Sequence, residues 1–391
     1  MKITELRYRP YNLPFARPFQ TTQGSLVRRQ GFVVGIRDEE GRWGTGEAAP
    51  LDGFGMEPLD RTRKALAAWA RELLGKELET DFPADRPPPA AFGLAAGTPW
   101  AGCPGAICGL ETALLDLAAQ RRGIPLARLL HPRAAARVEV NGLIGAQPAE
   151  EAARSALQLV GEGFCTLKIK LTSGAAAGGS PMADPPQGEQ TLEAEDIRRV
   201  KAVRDAVGGA IRLRVDAGGG WNEKQAYKMV EALTPYAIEY VEQPLPPPAI
   251  AAMARMVRQS PIRIAADESL VDLEEARRIL ENWAAHLLIV KPMALGGALT
   301  AMEMARLAEA RGIPVVVTSL LEGIYGRLMG LHVAAAVQAL PATAKAAYAC
   351  GLATGTLLLQ DLADPLPIPK DGGWTLPETP GLGLDCPFHI S

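Results

Sequence analysis

This 391-residue chain has few cysteines, few histidines and little net charge, and each scarcity excludes a class of site. The five cysteines are scattered, odd in number and include no CxxC pair, which argues against zinc or disulfides and for reduced thiols. The four histidines show no metal-ligand spacing, so we expect them to be structural. A net charge of −3 and a pI near 6.0 argue against a nucleic-acid partner.

Long apolar runs and phosphate-binding loops are also missing. The N-terminus MKITELRYRPYNLPF lacks the apolar core of a signal peptide, and no stretch reaches about 18 uninterrupted apolar residues. We therefore expect a cytoplasmic protein with no membrane partner. Residues 44–49 fit GxGxxA superficially, but Pro50 follows at once and no long helix does, so a dinucleotide site is not expected.

The first 133 residues mix strands, turns and helices. GFVVGIRDEEGRWGTGEAAP predicts a hairpin that turns at residues 38–41. Residues 58–76 have a helical period, and GAICGLETALLDLAAQRRGIPLARLL predicts a long helix, a turn at 123–125 and a short helix. Residues 81–103, rich in Pro and Gly, predict a loop.

From about Val138 onward, short strands alternate with amphipathic helices. The expected strands are VEVNGLI, TLKIK, RLRVDA, IEYVE, RIAADE, LLIVK, IPVVVTS and YACGLATG. This alternation favours a parallel sheet, and eight strands suggest a (β/α)8-type barrel. The expected fold is α/β: a barrel over 134–362, an α+β capping domain over 1–133, and a tail over 363–391 that returns to the capping domain.

Residues 172–190, TSGAAAGGSPMADPPQGEQ, interrupt this rhythm directly after the second strand. One interpretation is a mobile surface loop. The other is a partly ordered lid, because the segment starts at the carboxyl end of a strand, where barrel enzymes carry their sites.

Five charged residues each close a β-like run: Lys170, Asp216, Glu242, Asp267 and Lys291. The last four are 26, 25 and 24 residues apart, about the length of one strand–helix unit in a barrel. One acid alone could merely cap a helix or pair with an arginine. The shared register instead predicts one site at the carboxyl-terminal mouth of the barrel.

The three carboxylates of Asp216, Glu242 and Asp267 would repel one another unless a cation compensated them. Ligation by carboxylates alone selects a hard cation. Three protein ligands leave open positions on octahedral Mg²⁺, enough for a substrate carboxylate. We therefore predict a Mg²⁺ site, with Mn²⁺ as the alternative ion.

Lys168 and Lys170 lie two residues apart, so they share one face of their strand. Each should lower the pKa of the other and help one to act as a neutral base near pH 7. Two solvated surface lysines are the alternative. Lys291 follows the sixth strand and could be a second acid/base or a fixed cation, or simply a partner for Asp267 or Glu268.

Together these parts suit the removal of a proton from the carbon next to a carboxylate. A divalent cation on the carboxylate oxygens stabilises the enediolate, and a lysine takes the proton. The expected partner is therefore a small-molecule carboxylate.

Over essentially its whole length the chain resembles the enolase superfamily, in the muconate-lactonizing-enzyme subgroup. GEAAPL and ETALLDLAAQRRGIPLARLL resemble segments of the capping domain of that subgroup. TLKIK resembles its Lys-x-Lys motif, and RVDAGGGW, YVEQPL and ADES resemble its three metal-ligand segments. VKPMALGG resembles its opposing-lysine segment. The resemblance implies that Lys170 is the base; a Lys or His base with Mg²⁺ is already known for enolase-superfamily sites.

Members of the subgroup differ in the reaction they catalyse. Dipeptide epimerases commonly carry Asp-x-Asp at the seventh strand, where this chain has VVVTSLLEGIYGR. TSLLEG and ACGLATGTLLLQDL look most like the o-succinylbenzoate synthases. That resemblance implies Mg²⁺-dependent syn dehydration of a succinyl-hydroxycyclohexadiene carboxylate in menaquinone or phylloquinone biosynthesis, with Thr318, Ser319 and Leu320 as substrate contacts.

Several alternatives stay open from the sequence. N-acylamino acid racemization, dipeptide epimerization and muconate cycloisomerization belong to the same subgroup, and Lys170 with Lys291 could supply two acid/base groups. A catalytically silent binding barrel is a remote alternative, since no lysine or acid of the motif is lost. A homo-oligomer is compatible with the sequence.

Two further features follow from the resemblance. Gly218 stands where many relatives have Asn, so a hydrogen bond near the metal site is expected to be missing. Residues 19–28 and 51–57 either close over the mouth as capping loops or form ordinary surface turns.

Overall fold

The computed structural model of the protein describes residues 1–21, 24–78, 99–173, 192–364 and 368–388. In these ranges an antiparallel sheet with covering helices is followed by a curled parallel sheet with helices between its strands. The chain is therefore a mixed α/β fold with an N-terminal capping domain. Most of the predicted loop at 81–103 and most of the 172–190 insertion lie outside the described residues.

The N-terminal sheet has three antiparallel strands in chain order: β1 (Ile3–Thr21), β2 (Gly24–Asp38) and β3 (Trp43–Ala48). The hairpin predicted between β2 and β3 is confirmed. Asp38 holds its turn, because the Asp38 carboxylate accepts the N–H groups of Glu40 and Arg42, each at 2.9 Å.

Two helices cover this sheet, α1 (Leu59–Glu72) and α2 (Pro104–Arg121), and a short helix, α3 (Leu126–Leu130), packs against α2. Helix α2 is buried from residue 105 to residue 119, which explains why its sequence is apolar on nearly every side. Glycines let it lie directly on β3: a Cβ on Gly44 or Gly46 would come 2.0 Å from a carbonyl oxygen of α2. The predicted long helix, turn and short helix are confirmed.

The second sheet has seven parallel strands, each paired with the next in chain order. The strands are β5 (Gly142–Ile144), β6 (Thr166–Lys170), β7 (Arg212–Asp216), β8 (Ile238–Glu242), β9 (Arg263–Ala266), β10 (Leu287–Val290) and β11 (Val315–Val317). The helices that follow them are α4 (Ala149–Gly161), α5 (Leu192–Val207), α6 (Glu223–Leu233), α7 (Ile250–Gln259), α8 (Leu273–Glu281), α9 (Ala298–Glu309), α10 (Ile324–Val337) and α11 (Pro341–Ala346).

The first predicted strand of this sheet, 138–144, is divided in the structure. Its start forms β4 (Arg137–Glu139), which pairs antiparallel with β12 (Gly373–Thr375) of the tail. Only its end joins the parallel sheet, as β5. The continuous β pattern of the sequence cannot reveal this division, because both pieces satisfy their backbone groups as strands.

The eighth predicted strand, YACGLATG, is not a regular strand. Cys350 makes a single parallel bridge to Val140, and Gly351 makes one to Thr318. The Gly351 N–H donates to the Val317 carbonyl at 2.9 Å. This segment thus contacts both edges of the parallel sheet, but its pairing is too short to form a ladder.

Below the charged strand ends, the interior of the parallel sheet is filled. Its packed side chains are Tyr240, Ala265, Leu287, Ile289, Val316 and Tyr348. The Arg214 guanidinium lies 4.7 Å from the ring centre of Tyr240 and 5.6 Å from that of Tyr348. It also donates to the Glu239 carboxylate at 2.6 Å and to the Ala349 carbonyl at 2.7 Å. Arg214 therefore ties β7 to β8 and to the 348–351 segment.

The tail contacts the capping domain as well as β4. The rings of Phe388 and Trp43 stack with their centres 5.8 Å apart, and the Leu382 N–H donates to Asp116 at 2.7 Å. Across the described ranges, none of the helices has both the length and the apolar character that a membrane crossing requires.

His332, on α10, is fully buried where the tail meets α3. Its Nδ1 accepts the Ala127 N–H at 3.0 Å, so the neutral ring carries its proton on Nε2 and donates it to the Leu382 carbonyl. Burial lowers the pKa of His332 to about 4. This histidine is structural, as expected.

We predict that His332 makes the fold sensitive to acid. The unfolded chain takes up the proton at a higher pH than the folded chain, so stability is lost as the pH falls from about 6.5 towards 4. The loss at pH 5 relative to pH 7 is about 2 kcal/mol. Thermal unfolding at both pH values should show a smaller drop in Tm for His332→Gln than for the wild type. Equal drops would contradict this role of His332.

Candidate active site

The charged residues predicted to form one site come together at the carboxyl edge of the parallel sheet. Lys170, Asp216 and Glu242 are the last residues of β6, β7 and β8, and the register pairs each directly with the next. Asp267 and Lys291 each follow the last residue of their strand, β9 and β10. The even spacing along the chain thus becomes adjacency in space.

A cleft of about 750 Å³, part of it open to solvent, lies above this edge. Its lining includes every predicted site residue except Glu242, which is fully buried beneath it. The lining residues are Phe19, Leu51, Phe54, Asn141, Leu143, Lys168, Lys170, Asp216, Asp267, Glu268, Lys291, Thr318, Ser319, Leu320, Leu321, Gly351, Ala353 and Thr354. One side is densely charged and most of the rest is apolar or hydroxylic.

Ion pairs join the lysines to the acids. The Lys168 ammonium lies 3.1 Å from Oδ2 of Asp216 and 2.8 Å from Oε1 of Glu242. The Lys170 ammonium lies 2.5 Å from the same Oδ2 of Asp216. Lys291 pairs with both carboxylate oxygens of Asp267, so one alternative that the sequence leaves open for Lys291 is seen here.

Burial and neighbouring charges shift the pKa values of the three acids in different directions. Burial alone would raise the pKa of Asp216, but the charges of Lys170 and Lys168 outweigh it and hold that pKa well below its usual range. Burial and the neighbouring Asp216 raise the pKa of Glu242 to about 8. Burial also raises the pKa of Asp267, against the charge of Lys291. The neighbouring lysines thus favour the ionised form of Asp216, whereas burial disfavours the ionised forms of Glu242 and Asp267.

The predicted lowering of a lysine pKa is wrong for this arrangement of charges. Burial, the largest effect, lowers the pKa of both lysines, and Lys168 lowers that of Lys170 further, as expected. The opposing carboxylates outweigh these effects: Glu242 and Asp216 raise the pKa of Lys168, and Asp216 raises that of Lys170. Both ammonium groups therefore keep their protons in the ion-paired state.

The donor set fits a hard divalent cation. Asp216 Oδ2, Glu242 Oε2 and Glu268 Oε2 are buried without a hydrogen-bond partner, although Asp216 Oδ2 touches the two ammonium groups. Within the described ranges, no three His, Cys, Asp or Glu side chains already stand in metal-ligand positions. The acids form ion pairs with the lysines instead. Buried carboxylate oxygens with unused lone pairs are nevertheless the ligands that Mg²⁺ takes.

Gly218, expected to lack a hydrogen bond, supplies one through its backbone. Its N–H donates to Oδ1 of Asp216 at 3.0 Å. Its φ is +55°, a conformation that glycine adopts at little cost. The turn after β7 therefore orients the Asp216 carboxylate without a side chain at position 218.

Gln243 is a site residue that the sequence analysis missed. It follows Glu242 with a φ of +37°, and its side-chain oxygen accepts the Asp267 N–H at 2.8 Å. Its side-chain nitrogen donates to the Ser269 hydroxyl at 2.8 Å. Gln243 thus joins the ends of β8 and β9. The motif YVEQPL contains it, but nothing in the sequence indicates which way this amide points.

Phe54 is a second residue whose role was missed. It lies in the 51–57 segment, and the Lys291 ammonium sits 4.3 Å from the centre of its ring. Leu51 and Phe19 line the cleft with it, so parts of both expected capping loops reach the mouth. Residues 22–23 and 174–190 fall outside the described ranges, and the lid interpretation of the insertion stays a prediction.

Comparison with known proteins agrees with this geometry. Residues 151–387 match the family described as Enolase C-terminal domain-like, and residues 3–98 match the MenC N-terminal domain. The chain belongs to the enolase superfamily. It is accordingly an enzyme, in a superfamily whose matched members are lyases and isomerases.

Three enolase-superfamily relatives indicate the range of activities near this chain. The o-succinylbenzoate synthase of Thermobifida fusca is 38% identical over 235 residues, which are 60% of this chain and 65% of that protein, slightly under two thirds of its length. An N-succinyl-L-Arg/Lys racemase of Bacillus cereus is 26% identical and covers 85% of this chain and 84% of its own. The solved L-Ala-D/L-Glu epimerase of Bacillus subtilis has a TM-score of 0.83 at 27% identity, over 98% of both chains.

We predict that millimolar Mg²⁺ raises the Tm of the wild type, because a ligand that binds only the folded state stabilises it. The gain is about 2.7 kcal/mol when the ion exceeds its Kd a hundredfold. Glu242→Gln should lose this response, since the amide keeps the shape but not the charge. Differential scanning fluorimetry with and without Mg²⁺ measures both.

Glu239→Gln is the matched control for this experiment. Glu239 lies on the same strand but pairs with Arg214, away from the cleft. This control should keep the Mg²⁺ response even if its Tm is lower. A full response in Glu242→Gln would remove Glu242 from the metal site.

Proposed function

We propose that this protein is an o-succinylbenzoate synthase, which dehydrates a succinyl-substituted hydroxycyclohexadiene carboxylate. The observation that carries the proposal is the lining of the cleft. Lysines and acids occupy one side, and hydroxyl and apolar side chains follow β11, where a substrate ammonium would require carboxylates. The match to the MenC N-terminal domain and the 38% identity to a synthase support the same conclusion.

Lys170 is the proposed base. In its neutral form Lys170 takes the ring proton α to the carboxylate, and the electrons of the C–H bond pass into an enediolate. These electrons then expel the hydroxyl from the neighbouring carbon. The Lys170 ammonium returns its proton to that hydroxyl on the same face, so water leaves, the ring gains a double bond and becomes aromatic, and Lys170 is neutral again.

Asp216, Glu242 and Asp267 are the proposed ligands of Mg²⁺ or Mn²⁺, which when bound supplies positive charge for the substrate carboxylate. Asp216 has a second effect. When its charge is shared with a cation, it no longer holds up the pKa of Lys170, while Lys168 still lowers that pKa. The ligand set thus favours the neutral base that the reaction needs.

Lys291 is proposed as a fixed cation near the enediolate. It lies four strands from Lys170 in the curled sheet and lines the same cleft. Thr318, Ser319 and Leu320 are proposed as contacts of the substrate. The Ser319 and Thr354 hydroxyls lie 2.6 Å apart, so one donates to the other and an acceptor lone pair remains for a ligand.

Racemization of an N-acylamino acid is the second candidate. It is favoured by the presence of two lysines on distant strands, because racemization uses an acid/base group on each face of the α-carbon. The relative from Bacillus cereus named as an N-succinyl-L-Arg/Lys racemase supports it as well.

The proposal includes the architecture that holds the site. We propose that residues 350–351 complete a (β/α)8-type barrel over 134–362, because their bridges reach both edges of the parallel sheet. Residues 1–133 would form the capping domain, and 363–391 the tail that returns to it.

We predict rapid loss of the diene absorbance when the purified protein meets the cyclohexadiene precursor with Mg²⁺, and none with EDTA. Lys170→Ala should lower kcat by at least about 10³-fold, because Lys168, the other lysine of this strand, is held between Asp216 and Glu242. Lys201→Ala, which removes an exposed lysine on α5, is the control and should behave as the wild type. Steady-state activity in a folded Lys170→Ala protein would refute its role as base.

A second experiment separates the two candidate reactions. Because one fixed cation can replace another, Lys291→Arg should retain part of the dehydration rate. Lys291→Met, which has no charge, should have a dehydration rate about 10²-fold lower than that of Lys291→Arg. Deuterium exchange into N-succinylamino acids, followed by NMR, tests racemization. Exchange faster than dehydration in the wild type, abolished in Lys291→Arg, would instead establish the racemase.

A further inference from the structure

The loop between β11 and α10, residues 318–323, forms one wall of the cleft. Thr318, Ser319, Leu320 and Leu321 all line it. Leu321 has a φ of +62°, which a residue with a side chain adopts only when its surroundings impose it. Glu322 folds back, and its carboxylate accepts the Leu320 N–H. The wall is thus in a strained conformation that other parts of the protein must hold.

The residue at the N-cap of helix α10 cannot fix this loop. Gly323 precedes the helix and has no side chain that could accept the free N–H groups of the first turn. Two buried carboxylates from elsewhere accept them. Glu47 accepts the Gly323 N–H at 2.7 Å and the Gly326 N–H at 2.8 Å, and Asp361 accepts the Ile324 N–H at 2.8 Å.

Glu47 belongs to the capping domain, on β3, and is 1% exposed. Both carboxylate oxygens of Glu47 accept hydrogen bonds. Oε1 accepts the Gly323 N–H and the Tyr11 hydroxyl, and Oε2 accepts the Gly326 N–H. Among the described residues Glu47 has no ion-pair partner, so the positive end of α10 is what faces its charge. These hydrogen bonds form only when the capping domain is docked against α10.

Arg29, on β2, makes a second link to the same loop. It is buried and donates to the carbonyls of Ala49 and Pro50, the latter at 2.7 Å, and to that of Leu320 at 3.4 Å. The guanidinium therefore joins the segment after β3 to the middle of the loop. Neither Arg29 nor Glu47 lines the cleft itself.

We infer that Glu47 and Arg29 are positioning residues of the capping domain, which set the shape of the 318–323 wall and with it the fit of the substrate. The inference rests on the proposed function in one respect, that this wall contacts the substrate. Specificity then depends partly on residues that never touch the ligand. Both lie apart from Lys170, Lys291 and the three acids.

Glu47→Gln tests the inference with little change in volume. The amide nitrogen must face one of the two N–H groups, so one bond is replaced by a contact between donors. We expect amide exchange over residues 320–327 to quicken at least about tenfold. We expect KM for the cyclohexadiene precursor to rise at least about tenfold while kcat changes less than about threefold, because the base and acids stay in place.

Asp116→Asn is the matched control. Asp116 is equally buried and accepts two backbone N–H groups, from Thr45 at 2.8 Å and Leu382 at 2.7 Å, but it lies away from the cleft. It should lower Tm without altering KM or exchange at 320–327. Tyr11→Phe, which keeps both bonds from Glu47 to α10, should stay close to the wild type in KM.

The outcomes separate this inference from the proposed function. Unchanged exchange at 320–327 in Glu47→Gln, or an equal rise in KM in Asp116→Asn, would overturn the positioning role. A wild-type protein that does not dehydrate the precursor would refute the proposed function alone. In that case the exchange comparison between Glu47→Gln and Asp116→Asn still decides whether the cap holds the loop.

Discussion

The ion pairs among Lys168, Lys170 and Asp216 are the interaction on which the carboxyl edge of the parallel sheet depends. Parallel register places Lys170, Asp216 and Glu242 side by side at the ends of three strands. Their charges are buried, and buried like charges are tolerated only when opposite charges compensate them. The lysines supply that compensation here. Under the proposed function, the same acids bind a cation only when their ion pairs with the lysines weaken, so metal binding and the protonation state of the proposed base are coupled.

This coupling needs a rigid support beneath the strand ends. Arg214 provides part of it, because it lies two residues before Asp216 and is held between the rings of Tyr240 and Tyr348. Its bonds reach Glu239 on the next strand and the carbonyl of Ala349. A displacement of β7 would therefore disturb β8 and the 348–351 segment as well. Rigid placement of this kind keeps reacting groups within the small tolerance that catalysis allows.

The sequence predicts the parts of this enzyme that follow from local periodicity. The strands β6 to β11 and the charges at their ends are found where they are predicted, because a β/α unit has a nearly constant length. The division of 138–144 and the bridges at 350–351 could not be predicted, because both depend on partners far along the chain. The pKa direction of the lysines was wrong for a related reason. The sequence shows two like charges on one strand but not the acids that face them.

The capping domain meets the helices of the parallel sheet through buried carboxylates at helix N-termini, and sequence patterns did not reveal this. Glu111, on α2, accepts the Leu299 N–H at 3.0 Å at the start of α9, as Glu47 does at the start of α10. Gly297 leaves room for it, since a Cβ there would lie 2.0 Å from the Glu111 carboxylate.

These two helices follow β10 and β11, which lead directly to Lys291 and Thr318. The cap is therefore aligned with the strands that carry one wall of the cleft. The 51–57 loop of the capping domain depends on the same alignment, and it places Phe54 over the Lys291 ammonium. An acid that accepts backbone N–H groups fixes both distance and direction, whereas apolar contact alone would let the cap slide. The position of the capping domain and the geometry of the site thus depend on the same hydrogen bonds, those of Glu47 and Glu111.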